Sequence, residues 1–134
     1  VVAGTIEREA PASGNGRPAH LELGRRGEDL AAEYLRDLGL VVLGRNWRCR
    51  DGELDLITTD GTIVVVCEVK TRSGTGYGAP EEAVTPVKAA RVRRLAFRWL
   101  REQRIGWCTV RCDVVSVLLR PHRPAEIRHL PGVL

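Results

Sequence analysis

The chain is 134 residues long, 43% apolar, and carries 21 Lys and Arg against 17 Asp and Glu, a net charge of +4. Its length suits one domain, and its apolar share supports a real core and excludes a disordered chain. No apolar run reaches transmembrane length and residues 1–20 lack the apolar core of a secretory signal, so no membrane partner and a cytoplasmic location are expected.

Residues 1–20 are rich in Gly, Ala, Pro and Ser, show no period, and read as a flexible tail ahead of a single domain over 21–134. Residues 21–38 read as an amphipathic helix, with Leu23, Leu30, Ala31, Tyr34, Leu35 and Leu38 on one stripe and Gly39 as its stop. Glu28 falls beside Leu35 at the margin of that stripe. Residues 40–50 predict a first strand and 53–60 a second. Asp60-Gly61 then signals a hairpin into a third strand over 62–72. The glycine-rich stretch 73–83 predicts a loop. Thr85-Pro86 opens a second helix running to about Arg104, with Val92, Leu95, Ala96, Trp99 and Leu100 as its apolar face. Strands over 108–119 and 125–130 complete an α-β-β-β-α-β-β order, a mixed α/β domain with a central sheet flanked by helices.

There are four cysteines, Cys49, Cys67, Cys108 and Cys112. Cys108 and Cys112 have a spacing that zinc sites use, but matching His partners are missing and both fall in an apparent strand. Buried thiols are the preferred reading.

The third strand carries the chemistry. Ile63 to Cys67 form an apolar run, and the run then gives way to Glu68-Val69-Lys70. Ionised groups in a buried strand are costly unless they pair or bind something. Alternation puts Glu68 and Lys70 on one face, and likewise Glu53 and Asp55 on the neighbouring strand. The hairpin brings Glu68 within a residue or two of facing Glu53 and Asp55. Carboxylates gathered this way suit a hard cation, Mg2+ or Mn2+, and with a nearby Lys they suit phosphodiester hydrolysis. Each group also has an ordinary reading, as a solvated strand end, a turn residue or a surface helix glutamate. Those readings weaken together, because all four groups converge on one edge.

The pattern Asp55, Glu68-Val69-Lys70 resembles the PD-(D/E)xK nuclease superfamily, which includes restriction endonucleases and Holliday-junction resolvases. More closely, "GRRGEDLAAEYL", "RNWRCRDGELDLI", "VVVCEVKTR" and "RCDVVSV" resemble the YraN-like family of uncharacterised bacterial proteins, over roughly residues 21–120. The resemblance implies a restriction-endonuclease-like fold. It implies Asp55 as the central metal ligand, Glu68 as a second, the Val69 carbonyl as a third and Glu28 as a contributor from the first helix. Lys70 would position or activate the attacking water. Leu54 stands where the superfamily often has Pro. Resolvase-like relatives imply branched or otherwise structured DNA as substrate, and a homodimer.

A basic helix face points independently to nucleic acid, and the resemblance makes that DNA. Arg91, Arg94, Arg98 and Arg101 form one helical stripe with Lys88 nearby, and only Glu102 in that helix opposes them. Arg48 and Arg72, with Arg45 and Arg50, are candidates to extend it, and Trp47 and Tyr77 to stack on bases, with the core an equal alternative for Trp47. Two functions compete: a metal-dependent endonuclease, and a non-catalytic nucleic-acid-binding module on the same fold. A small structural or adaptor protein would leave both the arginines and the carboxylates unexplained.

Overall fold

A computed structural model describes residues 2–9, 19–74 and 84–134. Along the chain run β1 (Val2–Glu9), α1 (Ala19–Asp37), β2 (Val41–Cys49), β3 (Gly52–Thr59), β4 (Val64–Arg72), α2 (Pro86–Glu102), β5 (Val110–Leu118) and β6 (Pro124–Leu130). The strands form a six-stranded sheet in the order β1-β6-β5-β4-β3-β2. β4 and β5 pair in parallel, joined by the α2 crossover, and the other described pairings are antiparallel. A mixed sheet of this order, with a helix on each face, is the arrangement of a restriction-endonuclease-like domain.

Alternation along β4 shows how the two faces are covered. Val64 and Val66 join an apolar layer with Val92, Leu95, Ala96 and Trp99 of α2. Val65 and Cys67 join a second layer with Ala31, Ala32, Tyr34 and Leu35 of α1. The centre of the sheet is buried on both faces, so its central strands read as unbroken apolar runs. α1 lies very close to β4. A Cβ placed on Gly27 would stand 1.7 Å from Thr71 Oγ1, so only glycine permits that approach.

Two features differ from the sequence reading. Residues Val2–Glu9 were expected to be tail, but they form β1 and pair with β6 at the sheet edge. Their mixed composition hides any period of two, and Gly4 sits where an added Cβ would come 3.3 Å from the Tyr34 ring. The β3–β4 connection is also longer than a two-residue turn, because pairing starts only at Thr59 with Val64. Asp60 Oδ1 accepts from the Thr62 and Ile63 N–H groups, both at 2.8 Å, and organises the longer loop. Leu38 lies just past the end of α1 and is exposed rather than part of the core stripe. Of the predicted loop, residues 75–83, Tyr77 among them, lie outside the described residues. All four thiols are free, with Cys67 and Cys112 buried.

The far end of β5 is tied down by a buried charge. Asp113 is fully buried and accepts two hydrogen bonds from Arg111, at 2.9 and 2.8 Å, and one from the Gly132 N–H at 2.8 Å. His129 Nε2 donates at 2.7 Å to Asp113 Oδ2, the oxygen that also accepts from Arg111 Nη2, which leaves Nδ1 to face the Tyr34 hydroxyl at 3.4 Å. Burial alone would push the Asp113 carboxyl up. The donors from His129, Arg111 and Gly132 outweigh burial and hold it below the usual carboxylate range.

Candidate active site

The β3–β4 ladder pairs Thr59 with Val64 through to Leu56 with Cys67, and stops one step short of Asp55 and Glu68. The Val69 N–H instead donates to Asp55 Oδ2 at 2.9 Å. Regularity also fails within β3 at this point. Leu54 belongs to the α2 layer while Leu56, two residues on, belongs to the α1 layer, so alternation breaks across Asp55. The two strands part where their carboxylates begin.

Glu28, Glu53, Asp55, Glu68, Lys70 and the Val69 backbone line one cavity of about 540 Å³, with His20 and Arg91 at its walls. All four residues singled out as catalytic from the sequence therefore face one space. Asp55 registers the crowding, for its carboxyl is pushed up to about 6. Burial is the main cause, and the charges of Glu28, Glu68 and Glu53 add to it, against the Val69 hydrogen bond.

Glu68 also reaches toward α2. It follows Val64 and Val66 on the α2 face, where its Oε1 meets Lys88 Nζ at 2.7 Å and Lys70 Nζ at 3.2 Å. Burial opposes the charge on both lysines and Glu68 favours it. The pair comes apart, with Lys70 raised and Lys88 lowered from the usual lysine range.

Glu68 Oε2 is buried and has no hydrogen-bond partner among the described residues. An orphaned carboxylate oxygen beside a protonation-prone aspartate, with Glu28 and Glu53 lining the same cavity, fits a hard divalent cation. Among the described residues no three His, Cys, Asp or Glu side chains form a group placed to hold a metal ion.

Lys88, expected among the phosphate-contacting cations beside the arginine stripe, has its ammonium against Glu68. Thr85 caps α2, accepting from the Lys88 N–H at 3.2 Å, and this sets Lys88 in the first turn, against β4. The wheel carried the signal: Lys88 falls on the arc of Val92, Leu95 and Trp99, away from the arginines.

Arg91, Arg94, Arg98 and Arg101 line a second groove of about 710 Å³ with Asp51 and Phe97. Arg98 is paired with Asp51 at 2.8 Å. Arg48 is exposed and meets Glu53 at 3.1 Å, Arg45 meets Asp29, and Arg72 lies half-buried at the end of β4. Trp47 packs against the α2 layer and donates from Nε1 to Glu102 at 3.1 Å, so it is part of the scaffold.

The chain matches a family model described as "Uncharacterised protein family UPF0102" over residues 27–117. It is 56% identical over 112 residues to a UPF0102 protein of Nocardia farcinica, covering 83% of this chain and 87% of that one. A UPF0102 protein of Mycolicibacterium vanbaalenii is 51% identical over 118 residues, covering 88% and 98%. A third, from Acidothermus cellulolyticus, is 50% identical over 120 residues, covering 82% and 91%. No helix among the described residues is long and apolar enough to cross a membrane.

Proposed function

The chain belongs to the uncharacterised family UPF0102, and we propose that it is a divalent-metal-dependent endonuclease acting on DNA with branched or otherwise irregular structure. One observation carries this reading: Glu28, Asp55, Glu68 and Lys70 share a cavity whose wall at Arg91 is also the wall of an arginine-lined groove. Carboxylates for a cation and cations for a phosphate strand thus stand side by side.

Asp55 and Glu68 would hold Mg2+ or Mn2+, with Glu28 and the Val69 carbonyl completing the oxygen set. When bound, such an ion supplies Lewis acidity toward phosphate oxygens and water. Lys70, on the same face as Glu68, holds the attacking water and shares the negative charge that builds on the phosphate. Lys88 shares Glu68 with it and offers a second ammonium to a phosphate oxygen. The Val69 N–H fixes Asp55, so the central carboxylate is oriented before any ligand arrives. The arginines contact phosphates, which gives affinity without sequence preference.

The test is cleavage of labelled linear, nicked, flapped and four-way DNA with Mg2+ or Mn2+, wild type beside Glu68→Ala. The expected result is cutting by the wild type alone. Cutting that survives Glu68→Ala would remove the site assignment. Salt-sensitive binding by both proteins, indifferent to Mg2+ and with no cutting, would favour the second reading, a non-catalytic nucleic-acid-binding module. That module needs the arginine groove but leaves the buried Glu68 oxygen unexplained.

A further inference from the structure

We infer that the groove along α2 holds an unpaired DNA strand, with a base stacked on Phe97, so that the DNA recognised carries a single-stranded segment beside the cut. The position of the cut rests on the nuclease reading; the binding does not. Phe97 is 44% exposed, although the helix has a well-filled apolar face elsewhere. Lone exposed aromatics are common and need no explanation. This one lines the groove with Arg91, Arg94, Arg98 and Arg101.

Among the described residues, Arg91, Arg94 and Arg101 form no ion pair with a carboxylate. Arg98 is neutralised by Asp51, the groove's one acidic wall. Three unpaired guanidinium groups around an exposed ring combine phosphate contacts with a stacking platform, the two elements of single-strand recognition. In a duplex the base faces are occupied by their neighbours, and Phe97 would find nothing to stack on. From Arg91 to Arg101 the helix rises about 15 Å, the length of roughly four stacked nucleotides. Because Arg91 and Leu95 also line the carboxylate cavity, a strand in this track leads directly into it.

The experiment is equilibrium binding by fluorescence anisotropy in EDTA, where cleavage cannot intervene. The probes are a blunt duplex, the same duplex with a single-stranded tail, and the tail strand alone. The proteins are wild type, Phe97→Ala and Phe97→Trp, with equal thermal stability checked first. Wild type should bind the tailed duplex about ten-fold or more tighter than the blunt one. Phe97→Ala should remove most of that preference and leave blunt-duplex binding unchanged, and Phe97→Trp should retain it. No preference in the wild type, or equal weakening of all probes by Phe97→Ala, would overturn the inference. Failure of the nuclease reading shows separately, as no cutting of any DNA with Mg2+ or Mn2+.

Discussion

The Val69 N–H donates to Asp55 Oδ2 at 2.9 Å, across the point where the β3–β4 ladder ends. A side-chain carboxylate thereby takes the place of a strand carbonyl. The bond holds Asp55 facing the cavity, yet Asp55 titrates near 6 because burial and three neighbouring glutamates work against its charge. The fold carries this strained charge at the point where the proposed chemistry needs it.

Asp55→Asn should therefore stabilise the protein while abolishing cleavage. The folded-state pKa, about 6, lies above the ordinary 3.8, so the ionised form weakens the fold at neutral pH. The penalty is present above about pH 6 and disappears as pH falls from there toward 4. Asn still accepts from the Val69 N–H and removes the charge. In metal-free buffer at pH 7.5 the variant should gain roughly 1–3 kcal/mol in urea unfolding, and the gain should vanish near pH 4. Equal stability of the two proteins at both pH values would show that Asp55 is not under this stress.

Lys88→Met should impair catalysis and spare the fold. Its ammonium lies 2.7 Å from Glu68 Oε1, but Lys70 remains to pair with that carboxylate. Removing one cation aimed at developing phosphate charge costs on the order of 100-fold in kcat. Lys88→Arg should recover part of the loss, since it restores the charge with a different shape. Arg94→Ala, by contrast, should raise KM and flatten the salt dependence of DNA binding with little change in kcat. If Lys88→Met behaves like Arg94→Ala, Lys88 serves binding alone.

The contrast between these two residues shows what the sequence could disclose. Period two gave the shared face of Glu68 and Lys70, and the hairpin gave their proximity to Asp55. Glu28 was legible because its place at the edge of an apolar stripe follows from helical period alone. Lys88 shares its charge with the arginines but not their place on the wheel; its Glu68 contact depends on how α2 docks across β4, which no local pattern records. β1 was hidden for a related reason. An edge strand with Gly4 pressed toward Tyr34 lacks the apolar alternation that identifies a strand in isolation. The break at Asp55 was likewise invisible, since it arises from pairing between strands.

Gly27→Ala should damage fold and site together. The added Cβ would meet Thr71 Oγ1 at 1.7 Å and Thr71 Cβ at 2.6 Å, distances that a side-chain rotation alone cannot relieve. α1 must move off β4, at a cost of about 1–3 kcal/mol. Glu28 follows directly in the chain and moves with it. Thermal unfolding should show the lost stability. Cleavage measured well below the new melting temperature should still be reduced. Full activity with a lowered melting temperature would mean that the placement of Glu28 is not demanding.

Asp113→Asn should weaken the fold without touching the site. The carboxylate is fully buried, and its charge is matched by Arg111 and by donors from His129 and Gly132. Removing one partner of a buried pair leaves the Arg111 charge less well compensated, which costs roughly 3–5 kcal/mol when the pair is fully enclosed. Arg111 is partly open to solvent, so a loss of about 2–3 kcal/mol is expected. The acid limb follows from the same bonds. The folded pKa of Asp113 lies below the unfolded value, so its contribution is complete above pH 4 and is lost as pH falls through the folded pKa. Wild type should therefore lose stability steeply below pH 4, and Asp113→Asn should show a flatter acid limb from a lower plateau. Parallel acid limbs in the two proteins would place the acid sensitivity in other carboxylates.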